Sequence, residues 1–212
     1  MTPLLEYFTT VAAGAWNPGV FTPEWVKSHL IETDRADLEL ALEPSGPVYR
    51  VIADGLIVIP KRSQLVIGAH SSTKKWYESL TTMAKALELL PHTPISAIGV
   101  NFGFLCSQPA PKLEALFQFS DAADLARFGA TADKGQLRRS LTLSADIQMQ
   151  LLISEQSNAQ YAIHSNIHFE ATAAPAMIEW ARDPSRADLL NQTTFLLKSV
   201  YDVEITNEHL EL

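Results

Sequence analysis

The sequence predicts an α+β protein, an antiparallel sheet with its long helices on one face. Three observations lead there. The 212 residues are 47% hydrophobic and 19% charged, an ordinary globular balance. Segments rich in Val and Ile follow one another across short turn sequences, as hairpins do. The order strand, short helix, strands, long helix occurs twice. That order predicts two pseudo-repeat halves, about 1–92 and 93–205, within a single domain, 1–212.

The elements follow in order. Residues 5–16 read as a strand that Asn17-Pro18-Gly19 breaks. Thr22 is placed to cap a short helix, with Pro23 at its first position and Glu24 at the positive end of its dipole. Residues 37–42 alternate weakly, and 43–47 read as a loop. Residues 48–59 and 64–70 predict a hairpin around Pro60-Lys61-Arg62-Ser63. Trp76, Leu80, Met83, Ala84 and Leu87 recur at helical spacing, which predicts a helix over 73–90 ended by Pro91 and Pro94. A strand over 95–106 follows. Residues 112–119 suit strand or helix, and the fresh helix cap that Ser120 offers favours strand. Ser120 then caps a short helix that opens with Asp121 and Asp124 and stops before Gly129. Residues 137–153 and 160–171 predict a second hairpin around Gln156-Ser157-Asn158. Helices over 175–181 and 185–201 close the fold, the last capped by Ser185 with a stripe of Leu189, Thr193, Leu196, Leu197 and Val200.

The doubled order resembles the topology of the TATA-binding protein, in which two copies form one continuous antiparallel sheet. A topology carries no function with it. A second resemblance rests on Asn17-Pro18-Gly19-Val20-Phe21-Thr22-Pro23-Glu24-Trp25, on the stretch from Leu89 to Asn101, and on His168-Phe169-Glu170. These are similar to a family of sporadically distributed, uncharacterised bacterial proteins of like length. Phe102-Gly103-Phe104 stands where that family has a basic residue after the Asn and a later histidine. The resemblance implies a bacterial, cytoplasmic protein and supplies no reaction, cofactor or catalytic residue.

Composition narrows the function classes. A net charge of −8, with basic residues clustered only as Lys61-Arg62, Lys74-Lys75 and Arg138-Arg139, argues against nucleic acid as a partner. No stretch has the length and apolarity of a membrane span, and the start lacks the pattern of a signal peptide. The lone Cys106 fits a reducing compartment and reads as a small core residue. No phosphate loop, dinucleotide turn or serine elbow is present, so no cofactor is expected and the balance tips away from an enzyme. His164 and His168 share a strand face, but about 13 Å separates them at about 3.3 Å per residue. No metal site is expected there.

The sheet faces supply the functional clue. Around Leu141 to Ile153 one face is apolar and the other polar, whereas Leu56-Ile57-Val58-Ile59 and Leu65-Val66-Ile67 are apolar on both. An apolar surface near 56–67 would bind a protein partner or a second copy. The alternative is an enzyme or small-ligand binder with a groove near Asn17, His92 and Asn101, which fall at strand and helix ends.

Overall fold

In the computed structural model, residues 1–43, 46–107, 109–118, 121–127, 135–144, 147–156, 160–171 and 173–205 are described. The first half of the chain gives β1 (Thr2–Pro3), β2 (Thr9–Gly14), α1 (Pro23–Trp25, continued by π-helical Val26–Ile31), β3 (Asp37–Glu43), β4 (Gly46–Ala53), β5 (Leu56–Pro60), β6 (Gln64–Ala69) and α2 (Trp76–Leu89). The second gives β7 (Ile95–Cys106), α3 (Pro111–Leu116), α4 (Ala122–Arg127), β8 (Gln136–Ser144), β9 (Ile147–Glu155), β10 (Tyr161–Glu170), α5 (Ala174–Arg182) and α6 (Leu189–Tyr201).

All ten strands join one sheet in the order β3-β4-β5-β6-β2-β7-β10-β9-β8, with β1 beside the end of β7. Every pairing is antiparallel. From the central β2–β7 pair outward, each half runs first strand, last strand, then back through the meander. The α+β architecture and the single large antiparallel sheet are therefore as the sequence predicts.

One sheet face is packed and the other open. Ile98, Val100, Phe102, Phe104 and Cys106 of β7 alternate onto the packed face, and all are buried. Their partners Ile163 and Ile167 on β10, and Thr10 and Ala12 on β2, point the same way. Helix α2 lies over β2 and β6 and packs against α5. Its buried stripe is Trp76, Ser79, Leu80, Met83, Ala84 and Leu87. Two polar side chains inside this core satisfy one another: Ser79 donates to the carbonyl of Trp76 at 2.6 Å and accepts from Thr10 at 2.8 Å. On α5, Trp180 stacks on Phe169, centroids 5.8 Å apart. Tyr201 of α6 lies near Arg139, whose strand partner Leu151 is a packed-face residue, so α2 and α6 share a face.

Local chemistry explains the boundaries. Thr22 accepts from the Trp25 N–H at 3.2 Å, the cap the sequence announces. The helix then widens and ends at Glu32 in the left-handed region, φ 56°. The strand expected over 48–59 is two strands, because Asp54 (φ 46°) and Gly55 (φ 73°) form the tight turn that a two-residue hairpin needs. The segment 137–153 is likewise two strands, β8 and β9, while the turn expected around 156–158 lies largely outside the described residues. Residues 5–16 divide into a 3-10 turn at Leu5–Tyr7 and then β2. The expected strand over 112–119 is overturned, since Pro111 starts α3 and helical spacing buries Leu113 against the core. Ser120 and Gly129 lie outside the described residues. Asp183, not Ser185, caps the last helical stretch, accepting from the Ser185 N–H at 2.9 Å ahead of the 3-10 turn Pro184–Asp188. On α6 the buried stripe is Leu189, Leu190, Thr193, Leu197 and Tyr201, and Val200 faces out.

Leu80 is fully buried at the centre of the α2 stripe. Replacing it with Ala is expected to cost about 2–5 kcal/mol as a large-to-small core change. Denaturant unfolding of native protein and Leu80→Ala measures this, and equal midpoints would refute the placement of α2.

Candidate functional site

Side chains that alternate away from the helices build the open face. At its centre, hydrogen bonds cross three strands. Asn101 on β7 donates to Thr9 Oγ1 on β2 at 3.0 Å, and Asn166 on β10 donates to Asn101 Oδ1 at 2.7 Å. His168 Nδ1 lies 3.1 Å from Asn166 Oδ1. Since that oxygen only accepts, His168 must carry its proton on Nδ1. The pairings Thr9↔Asn101 and Asn101↔Asn166 put these side chains directly opposite one another, so the ladder follows from register.

Two hollows flank the ladder and share Gln150 and Asn166. One, of about 280 Å³, is bounded by Tyr7, Thr9, Leu152 and His164. The other, of about 270 Å³, lies over Val11, Ala13, Ala97 and Gly99, with Glu170 at its margin. Gly103 leaves room for Tyr7: a Cβ there would lie 2.6 Å from the Tyr7 Cβ. Tyr7 meets His164 edge-on, centroids 4.3 Å apart. Burial pushes the His164 imidazole below its ordinary value, and the Glu6 carboxylate opposes this only in part.

The three residues expected to share a groove do not meet. Asn101 sits in the ladder. Asn17 turns its side chain to the Gly19 N–H at 3.1 Å, shaping the turn after β2. His92 is exposed after α2, where the Leu90 and Thr93 N–H groups satisfy the carbonyls of Ala86 and Leu90. Since Gly14 pairs with Ile95 and Thr9 with Asn101, the end of β2 near Asn17 and His92 lies roughly 17 Å from Asn101, at about 3.4 Å per residue. Of this ladder the sequence singles out Asn101 alone as a site candidate; its partners Thr9 and Asn166 become visible only with the β2–β7 and β7–β10 registers.

His164 and His168 lie on the open face with Asn166, as their alternation predicts. Among the described residues, no group of three or more His, Cys, Asp or Glu is placed to hold a metal. No helix among them is long and apolar enough to cross a membrane. A further cavity, of about 650 Å³, lies beside Trp180 on α5. Its cations already have partners: Arg182 pairs with Glu88 and Arg186 with Asp183.

The first-half hairpin is covered differently from the sequence expectation. Leu56, Val58, Leu65 and Ile67 are buried on the packed face, while Ile57, Ile59 and Val66 are half-buried on the open face. The exposed apolar surface lies farther out, on the edge strand β3. Leu38, Leu40 and Leu42 alternate toward the packed side and are 59%, 71% and 85% exposed. The other side of β3 begins with Asp37 and Glu39. The period-two pattern of residues 37–42 was the available signal. No protein-family model matches the chain, and no curated protein sequence does so either.

The depressed His164 pKa has a definite sign. The unfolded imidazole, with an ordinary value of 6.5, takes a proton at a pH where the folded one does not. This contribution to stability is therefore present above that pH and is lost as pH falls through it toward the folded value. His164→Phe keeps a ring against Tyr7 without ionising. Melting temperatures from pH 7.5 to 5 should fall less steeply for the variant, and identical slopes would exclude His164 as the source.

Proposed function

We propose that the protein is an interaction module, not an enzyme, and that its docking element is the edge strand β3. One observation carries this reading: three leucines stand exposed in a row on a strand that, among the described residues, has a neighbour on one side only. An exposed edge offers unpaired backbone N–H and C=O groups, and leucines beside it add apolar area to any strand that pairs there. Burying one such side chain contributes roughly 1.5–3 kcal/mol.

Charge indicates the occupant. In an antiparallel pairing of β3 with a second copy, keeping leucine beside leucine allows three registers with substantial overlap. They place Asp37 opposite Glu43, Glu39 opposite Glu39, or Glu39 opposite Glu43. Like charges directly opposite destabilise a pair. The strand therefore suits an extended partner segment in which apolar residues alternate with Lys or Arg. The mirrored strand order also supports reading the chain as a duplication in the manner of the TATA-binding protein. The resemblance of its motifs to the bacterial family is compatible with a cytoplasmic setting. Both readings are compatible with a docking role.

The test is fluorescence anisotropy with a labelled peptide of alternating Val and Lys, against one of alternating Val and Glu. Binding of the first only, abolished by Leu40→Glu, is the expected result. Leu40 is largely exposed, so the variant should melt like the native protein. If light scattering instead shows a native dimer that Leu40→Glu dissociates, the occupant is a second copy and the charge argument fails. A native monomer that binds neither peptide overturns the reading.

A further inference from the structure

We propose that the open face of the sheet is a second site, which binds a neutral disaccharide with one ring in each hollow beside the Asn101–Asn166 ladder. The ladder leaves hydrogen-bonding capacity unused. Each carboxamide NH₂ has two protons, and each ladder bond uses one, so Asn101 and Asn166 each keep a donor. Thr9 accepts from Asn101, which leaves its hydroxyl proton free to donate. His168 spends its Nδ1–H on Asn166, which leaves Nε2 to meet a ligand. Gln150, exposed between the two hollows, adds a further donor and acceptor. Free donors on Thr9, Asn101 and Asn166, the donor and acceptor of Gln150 and the Nε2 of His168 therefore form a mixed row over four adjacent strands, about 14 Å at the usual strand spacing. Hydroxyl groups, which both donate and accept, match such a row where a ligand with donors or acceptors alone does not.

The hollows supply the complementary apolar contacts. Val11, Ala13, Ala97 and the bare backbone at Gly99 floor one, and Leu152 and the Tyr7 ring border the other. Tyr7 is 42% exposed, so part of its ring is available to the C–H face of a sugar. Each hollow is near the small end of the range for small-molecule sites, about 300–1,000 Å³, which suits one ring apiece. Charge argues for a neutral ligand. Arg138 borders one hollow and Glu170 the other, so neither sign dominates. The chain as a whole carries −8.

This site is independent of β3, and its test leaves β3 untouched. Saturation-transfer NMR is run on the native protein with cellobiose, maltose, lactose and diacetylchitobiose, each at millimolar concentration. Transfer to at least one is expected. For that sugar, Gln150→Ala and Asn166→Leu should each weaken binding about tenfold, as a lost hydrogen bond does. Gln150 is exposed, so its variant reports on the site even if Asn166→Leu folds poorly. Absence of transfer from all four sugars overturns the proposal, as does binding that both variants leave unchanged. Tighter binding of glucose 6-phosphate than of glucose also overturns it, by showing an anion site.

Discussion

The pairing of β2 with β7 is the constraint on which the rest depends. It joins residues about ninety positions apart, from Thr9↔Asn101 to Ala13↔Ala97, and among the described residues it is the one strand pairing between the two meanders apart from the short β1 contact. Each half alone would end in an edge at that point. Pairing them removes both inner edges and leaves only β3 and β8 as the ends of the strand order. Such a long-range contact closes a large loop, so packing must offset its entropy. The burial of Phe8, Phe102 and Phe104, whose rings meet edge-on at 5.4 and 5.7 Å, supplies that beside the seam.

Strand β7 also divides the two faces of the molecule. Its packed side is large and apolar, with Ile98, Val100, Phe102, Phe104 and Cys106. The middle of its open side is Ala97, Gly99, Asn101 and Gly103, between Ile95 and Leu105. Bulk on one side fills the space under α2 and α5. Small residues on the other admit Tyr7 and leave a hollow over Gly99. One alternating segment thus makes both the core and the polar ladder. Shifting it by one residue would bury Asn101 and expose the phenylalanines, so the register has little freedom.

Much of this was legible in the sequence because the signals were local. The Thr22 cap, the α2 stripe and the alternation of β9 and β10 each depend on neighbours a few residues away. The failures have physical causes. The Asp54-Gly55 turn was hidden because apolar residues run on both sides of it, and in 48–59 the hydrophobic signal outweighed the turn chemistry. Residues 112–119 fit two periodicities, and Pro111 at a first helical position decided for helix. Asn101 was legible as a polar residue on a strand, but its partners were not, since Thr9 and Asn166 reach it only through pairings far apart in the chain. His92 and Asn17 were grouped with it because all three sit near element ends, a criterion that ignores how long β7 is.

The exposed leucines of β3 have a geometric origin in the same design. Nine strands side by side span roughly 38 Å at about 4.8 Å per step. The helices that cover them are each about 10 Å wide. The longest, α2, sits with α5 near the middle, over the seam where burial is most needed. Toward one edge, cover depends on the π-helical end of α1, which reaches β4. Its Val26 and Leu30 are buried there, as is Val51 of β4. Past β4 the helical layer gives out, and Leu38, Leu40 and Leu42 stand on the packed side of the sheet with no such cover. Had β3 evolved only as a protective edge, polar residues on both faces would have served. Its leucines on one face and acidic residues on the other are what the proposed docking partner would engage, its apolar residues completing the layer.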